Sequence, residues 1–326
     1  MRYASSLAVL AAMIMAGCGS SSGGDSVSTP PVTIPPPDLA IVSGNSMQVL
    51  QVAYLTASSS GDMVGLVTNT GISADPGGVS KVPLPGQLSK TMTAAISNVP
   101  IGPETLPCDV SGSITVSGNL SNPLTLSAGD TINIDADNCD DGLGEVTDGL
   151  INSTVSAFTG DITSGLYDMT MRMVITSFQV TTPEDVLLSN GDVTVMLDTM
   201  TPLAVATSVR GDAMTTSSNA SLETLYSYLT SQTLDTGVSP SPYTMNASGT
   251  LDSSQLGGVV DYSMPEMFRG FDSDYPSSGE MLATGAGGAT VRLIVLDSVN
   301  IRIELDSDGM PPAEETIDTT WVAFTS

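Results

Sequence analysis

The residues of this chain best placed to do chemistry are carboxylates, and one run of them has a recognisable spacing. Glu304-x-Asp306-x-Asp308-Gly309-x5-Glu315 follows a calcium-loop pattern, with Glu in place of the first Asp. Alternate carboxylates in such a run converge on one cation, and the glycine permits the tight bend between them. Pro311 and Pro312 fall inside the run and its flanks read as strands, so a plain acidic hairpin accounts for the same residues. Calcium held by Glu304, Asp306, Asp308 and Glu315 is the one cofactor the sequence suggests. A second acidic cluster, Asp135, Asp137, Asp140, Asp141 and Glu145, surrounds Cys139 without ligand spacing. Met169, Met171 and Met173 alternate along one stretch. Three thioethers on one strand face suit Cu(I), a packed core, or a pliable cavity for an apolar guest.

Other chemistries are excluded. The chain has no histidine, which removes the Ser-His-Asp triad, the usual zinc sites and imidazole acid–base catalysis. Phosphate loops and dinucleotide fingerprints are absent from the sequence. A carboxylate pair cleaving glycans is the enzyme reading that survives. One Trp, five Phe and eight Tyr leave few rings to stack sugars, so the expectation is a non-catalytic protein. A net charge of −27 repels phosphate backbones, so no nucleic-acid partner is expected.

Cys18 ends the run Met15-Ala16-Gly17-Cys18, which follows the apolar stretch Leu7-Ala8-Val9-Leu10-Ala11-Ala12-Met13-Ile14 and the positive residue Arg2. The apolar run is too short to span a bilayer as a helix. The arrangement resembles the signal peptide and lipobox of bacterial lipoproteins, with Met15 where that family normally carries Leu. The resemblance implies cleavage between Gly17 and Cys18, a diacylglyceryl group on the Cys18 thiol and an acyl chain such as palmitate on its amine. Each buried methylene then contributes about 0.8 kcal/mol, and three chains hold where one holds only marginally. Gly19 rather than Asp follows the cysteine, which implies the outer membrane, with the membrane itself as partner through the acyl chains. With Cys18 acylated, Cys108 and Cys139 remain, and in an exported protein such a pair forms a disulfide. Closing a loop of about 30 residues contributes roughly 3–4 kcal/mol in the chain-entropy model.

These groups need elements to hold them. Residues 1–17 read as the signal peptide and 18–38, with GSSSGGDSVSTPPVTIPPPD, as a tether that reaches about 60 Å when extended. Residues 39–326 read as one β domain. Met47, Leu50, Tyr54 and Ala57 predict a helix over about 45–57, and 58–100 reads as irregular connection with one short strand. From Cys108 onward, period-two alternation predicts strands such as 111–117, 131–136, 166–182, 193–197 and 204–214, with Asn190-Gly191 as a hairpin turn. Leu222, Leu225 and Leu229 fit a helix, whereas Tyr226 and Tyr228 fit a strand. Further strands are expected at 245–251, 258–263, 291–296, 300–305 and 316–324, and YSMPEMFRGFDSDYP (262–276) reads as an aromatic plug or recognition loop. The fold class is mainly β, an antiparallel meander forming a sandwich or an open barrel-like curved sheet, with one short N-terminal helix. This layout is similar to that of β-rich exported proteobacterial lipoproteins with no assigned activity. The expected role is structural or binding, with an envelope protein as partner. The alternatives are a carrier or sensor of a lipid or other apolar ligand, and a carboxylate-dependent glycan hydrolase.

Overall fold

The computed structural model describes residues 32–68 and 102–325, except 123, 124, 141, 143, 162, 163, 184, 220, 272 and 273. Residues 1–31, with Gly17, Cys18 and most of the tether, lie outside the described residues.

The strands among the described residues form one antiparallel sheet of 14, ordered as they occur in the chain. They are β1 (Glu104–Pro107), β2 (Ser111–Asn119), β3 (Thr131–Asp140), β4 (Val146–Asp161), β5 (Leu166–Thr181), β6 (Val186–Asp198) and β7 (Ala204–Ser217). There follow β8 (Leu222–Asp235), β9 (Pro242–Ser253), β10 (Gly258–Phe271), β11 (Ser278–Thr284), β12 (Thr290–Val295), β13 (Asn300–Asp306) and β14 (Glu315–Thr320). The meander is open. Among the described residues its edges are β1 and β14, which are short and carry Pro107, Glu315 and Asp318, residues that blunt further pairing.

One face of this strip carries the core. Inward positions are apolar, as with Met169, Met171, Met173, Val193, Val195 and Val209, all at most 1 % exposed. Outward positions of the same strands carry Thr170, Arg172, Asp192, Thr194, Ser208 and Arg210. A membrane-spanning barrel has the reverse arrangement, with its apolar band outside. Threonine pairs link neighbouring strands on the outward face: Thr105 with Thr115, Thr215 with Thr224, and Thr233 with Thr244.

Bulges in several strands bend the sheet. At Asn138 in β3, Ser177 in β5 and Ser227 in β8 the backbone turns to positive φ (48°, 47° and 44°), and each lies at a register shift. An extra residue there bends the strand and increases its twist. It also shifts the phase of the side chains. In β5 the buried residues are odd-numbered up to Ile175 and even-numbered from Phe178. In β3 the change falls between Ala136 and Cys139, and in β8 between Leu225 and Tyr228. The apolar pattern steps by three at each bulge, so the inward face stays apolar throughout.

Helix α1 (Ser46–Thr68) packs on that inward face against β6, β7, β8, β9, β11 and β12. Val49, Leu50, Val52, Ala53, Tyr54 and Ala57 are its buried apolar residues before position 59. The chain enters beside the sheet at Asp38, whose amide donates to Val259 O (3.1 Å) and whose carboxylate accepts from Val259 N (2.8 Å). A second helix, α2 (Trp321–Thr325), follows β14 directly. Tyr54, Phe268, Trp321 and Phe324 form one aromatic cluster where α1, β10 and α2 meet, with neighbouring ring centroids 5.3–6.1 Å apart. The indole N–H of Trp321 donates to Pro276 O at 3.1 Å.

Several sequence expectations change. The helix runs on to Thr68 rather than ending near Ala57, through Ser58, Ser59, Ser60 and Gly61, whose helix propensity is low but is only a weak constraint. Residues 69–101 lie outside the described residues. Asn190-Gly191 is not a turn: β6 runs through it, and Asn190 Oδ1 accepts from Ser177 N at the β5 bulge (2.7 Å). Residues 222–235 are a strand, which decides between the two readings of that stretch. Residues 321–324 are helical rather than the end of a strand, and most of 262–276 is the second half of β10. The sandwich alternative is replaced by a single open sheet.

Candidate functional site

Cys108 and Cys139 form a disulfide with Cα atoms 5.5 Å apart. It joins the turn before β2 to the end of β3, and the neighbouring Val110 N–H donates to Asp140 O at 2.9 Å. Cys139 sits on the inward face after the β3 bulge and is 2 % exposed, so this bridge reinforces the core and offers no accessible thiol chemistry. Of the acidic cluster around it, Asp135 and Asp137 are exposed along β3, and Asp140 accepts from Gly142 N at 2.8 Å. Asp141 lies outside the described residues.

The calcium-type run folds as the β13–β14 hairpin. Asp306, Asp308 and Glu314 bring one carboxylate oxygen each within 4.8 Å of the others. Among the described residues these are the acids near enough to share a divalent ion. They are already engaged with the loop backbone: Asp306 and Asp308 accept from Met310 N (3.0 and 2.9 Å), and Glu314 accepts from Ser307 N (2.7 Å). Hydrogen bonds from the Ser307 hydroxyl and then from its backbone N–H hold the Glu314 carboxyl below its ordinary pKa. Glu304 pairs with Thr316 and Glu315 with Leu305 inside the strands, so neither belongs to the group. The linear spacing missed Glu314, which only the geometry of the turn reveals.

The methionine face lies inward. Met169, Met171 and Met173 are 0–1 % exposed among apolar neighbours of the core. Thioethers enclosed in this way act as packing. The aromatic stretch divides: Tyr262 and Phe268 are buried, Tyr275 lies against Trp321, and Phe271 is exposed.

A further site comes from four strands that no linear motif connects. Arg172 of β5, Asp192 and Thr194 of β6, Arg210, Gly211 and Asp212 of β7, and Ser227, Tyr228 and Leu229 of β8 line an outward depression of about 520 Å³. Register places Arg172, Thr194, Arg210 and Leu229 on one rung across these strands. The depression lies where β7 and β8 are both bulged. β7 has one residue more than β6 between the Thr194–Arg210 and Gly191–Met214 pairs, and Ser227 is the extra residue of β8. Gly211 leaves room for its floor: a Cβ there would stand 2.4 Å from Asp192 O and 2.6 Å from Tyr228 Oη. Asp192 grips Arg172 through both of its oxygens. Tyr228 is almost fully buried and donates to Met214 Sδ at 3.8 Å. Burial, and then the charges of Tyr262, Asp192 and Asp212, push its phenol pKa up.

The chain matches none of the family models, curated proteins or solved structures with which it was compared.

Proposed function

We propose that this protein is a lipid-anchored outer-membrane lipoprotein with a non-catalytic, structural or binding role in the cell envelope. The observation that carries the reading is Cys18 at the end of Met15-Ala16-Gly17-Cys18, directly after a short apolar run. Three features support it. The disulfide suits an oxidising compartment. The inward face, where an apolar guest would sit, is filled by α1, the methionines and the aromatic cluster, which favours a role carried by the outward face. That outward face is polar and lacks histidine chemistry. The partner in this reading is the membrane through the acyl chains, together with an envelope component bound by the sheet.

Intact mass spectrometry of the detergent-extracted protein, with cell fractionation, tests the anchor. The expected mass is that of a chain beginning at Cys18 with acyl groups attached, recovered in the outer-membrane fraction. Cys18→Ala is expected to release the protein from the membrane. A soluble wild-type protein without acyl mass overturns the reading.

A further inference from the structure

We propose that the outward depression on β5–β8 binds a compact zwitterion, a molecule or terminal group bearing both a carboxylate and an ammonium. Charge balance leads to this ligand. Of the four charged groups lining the site, Arg172 and Asp192 satisfy each other. Arg210 and Asp212, on either side of Gly211, form no hydrogen bond or ion pair among the described residues, and the hydroxyls of Thr194 and Ser227 are equally unengaged.

The unengaged groups thus comprise a guanidinium fork, a carboxylate and two hydroxyls around one concavity. The fork matches a ligand carboxylate, to which it can donate two parallel hydrogen bonds. The Asp212 carboxylate accepts from an ammonium, and Leu229, 39 % exposed, offers an apolar wall to the carbon skeleton between them.

Ligands of one sign fit less well. A simple anion meets the field of a chain with net charge −27. A simple cation finds carboxylates over the whole surface and is opposed here by Arg210. A zwitterion satisfies both unpaired groups and carries no net charge into that field. The two adjacent bulges supply the concavity, a use to which bulges are often put beside functional sites.

The inference concerns the outward face and does not rest on the anchor at Cys18, whose acylation is read independently by mass. The test is ligand-observed NMR on the full-length protein in detergent, with three probes: alanylalanine, its N-acetyl derivative and its C-terminal amide. Alanylalanine is expected to bind, and removal of either charge to weaken it by about tenfold or more. Arg210→Gln and Asp212→Asn are each expected to abolish the preference for the zwitterion. Both are exposed substitutions that leave the fold intact by Trp321 fluorescence. Arg302→Gln, a cation on the outward face of β13, is expected to leave binding unchanged. Equal binding of all three probes, no binding of alanylalanine, or full binding by the Arg210 and Asp212 variants overturns the proposal.

Discussion

The ring of Tyr275 lies flat against the indole of Trp321, with centroids 5.4 Å apart and planes within 3° of parallel. Trp321 also meets Tyr54, Phe268 and Phe324, so one side chain joins α1, β10, the β10–β11 connection and α2. Trp321→Ala is expected to cost about 3–5 kcal/mol by opening a cavity in this cluster and freeing Pro276 O from its donor. Urea unfolding followed by far-UV circular dichroism measures it. Trp321 is the only tryptophan, so its fluorescence reports on this cluster alone: blue-shifted when folded, red-shifted when α2 lets go.

Gly149 shows what the bulges demand of facing strands. Its φ is +111°, and a Cβ there would lie 2.3 Å from Ser177 O, the bulged residue of β5. Gly149→Ala is expected to destabilise by about 2–3 kcal/mol, combining left-handed strain with a backbone clash. Gly165→Ala, at φ +72° with open space around it, carries the strain alone and is expected to cost about 1 kcal/mol. Equal losses at the two positions would sink the bulge argument.

These phase shifts also decide how much of the fold was legible in the sequence. Met169, Met171 and Met173 alternate cleanly because they precede the Ser177 bulge, and they announced their strand. Leu222, Leu225 and Leu229 imitate helical spacing without sharing a face. Leu225 points inward, while Leu222 and Leu229 are on the exposed side. Asn190-Gly191 carries a strong short turn signal and sits inside a strand, where Asn190 closes a bulge instead. The acidic hairpin was visible as composition, but the choice of Glu314 over Glu315 depends on loop geometry. The Arg210–Asp212 depression was not legible, since its residues come from four strands and meet only through register.

Removing the disulfide by Cys108→Ser with Cys139→Ser is expected to lower stability by about 3–4 kcal/mol, since it reopens a loop of 31 residues. Because the bridge staples β2 to β3, hydrogen exchange is expected to quicken there before it does in β9–β13. Uniform loss of protection across the sheet would count against a local staple.

Stability is expected to fall at both ends of the pH scale, for different reasons. Burial pushes the phenols of Tyr228, Tyr243 and Tyr262 well above their ordinary pKa. Their contribution is complete below about pH 10, the unfolded value, and is lost as pH rises beyond it. Tyr262→Phe is expected to reduce that alkaline loss. It should also leave neutral stability unchanged or higher, because the Tyr262 hydroxyl is buried without a hydrogen-bond partner. On the acid side, hydrogen bonds from Arg302, from Asn300 and from Ser307 hold the carboxyls of Asp318, Asp297 and Glu314 low. Their contribution is present above about pH 4 and disappears as pH falls through their folded values. Urea midpoints across the pH range measure both limbs, and a flat alkaline limb would contradict the burial of the three phenols.

The strand order of the sheet has a consequence for assembly. Because each strand pairs only with its neighbours in the chain, every pairing closes through one short connection, at small entropic cost. The strip can therefore grow in the order in which the chain emerges, and no strand waits for a distant mate. Helix α1 is the exception. It precedes the 14 described strands, yet its partners β11 and β12 lie near the other end of the chain. The first of the described elements to be made is thus among the last that can be seated, and the sheet must curl around a helix that has waited for it.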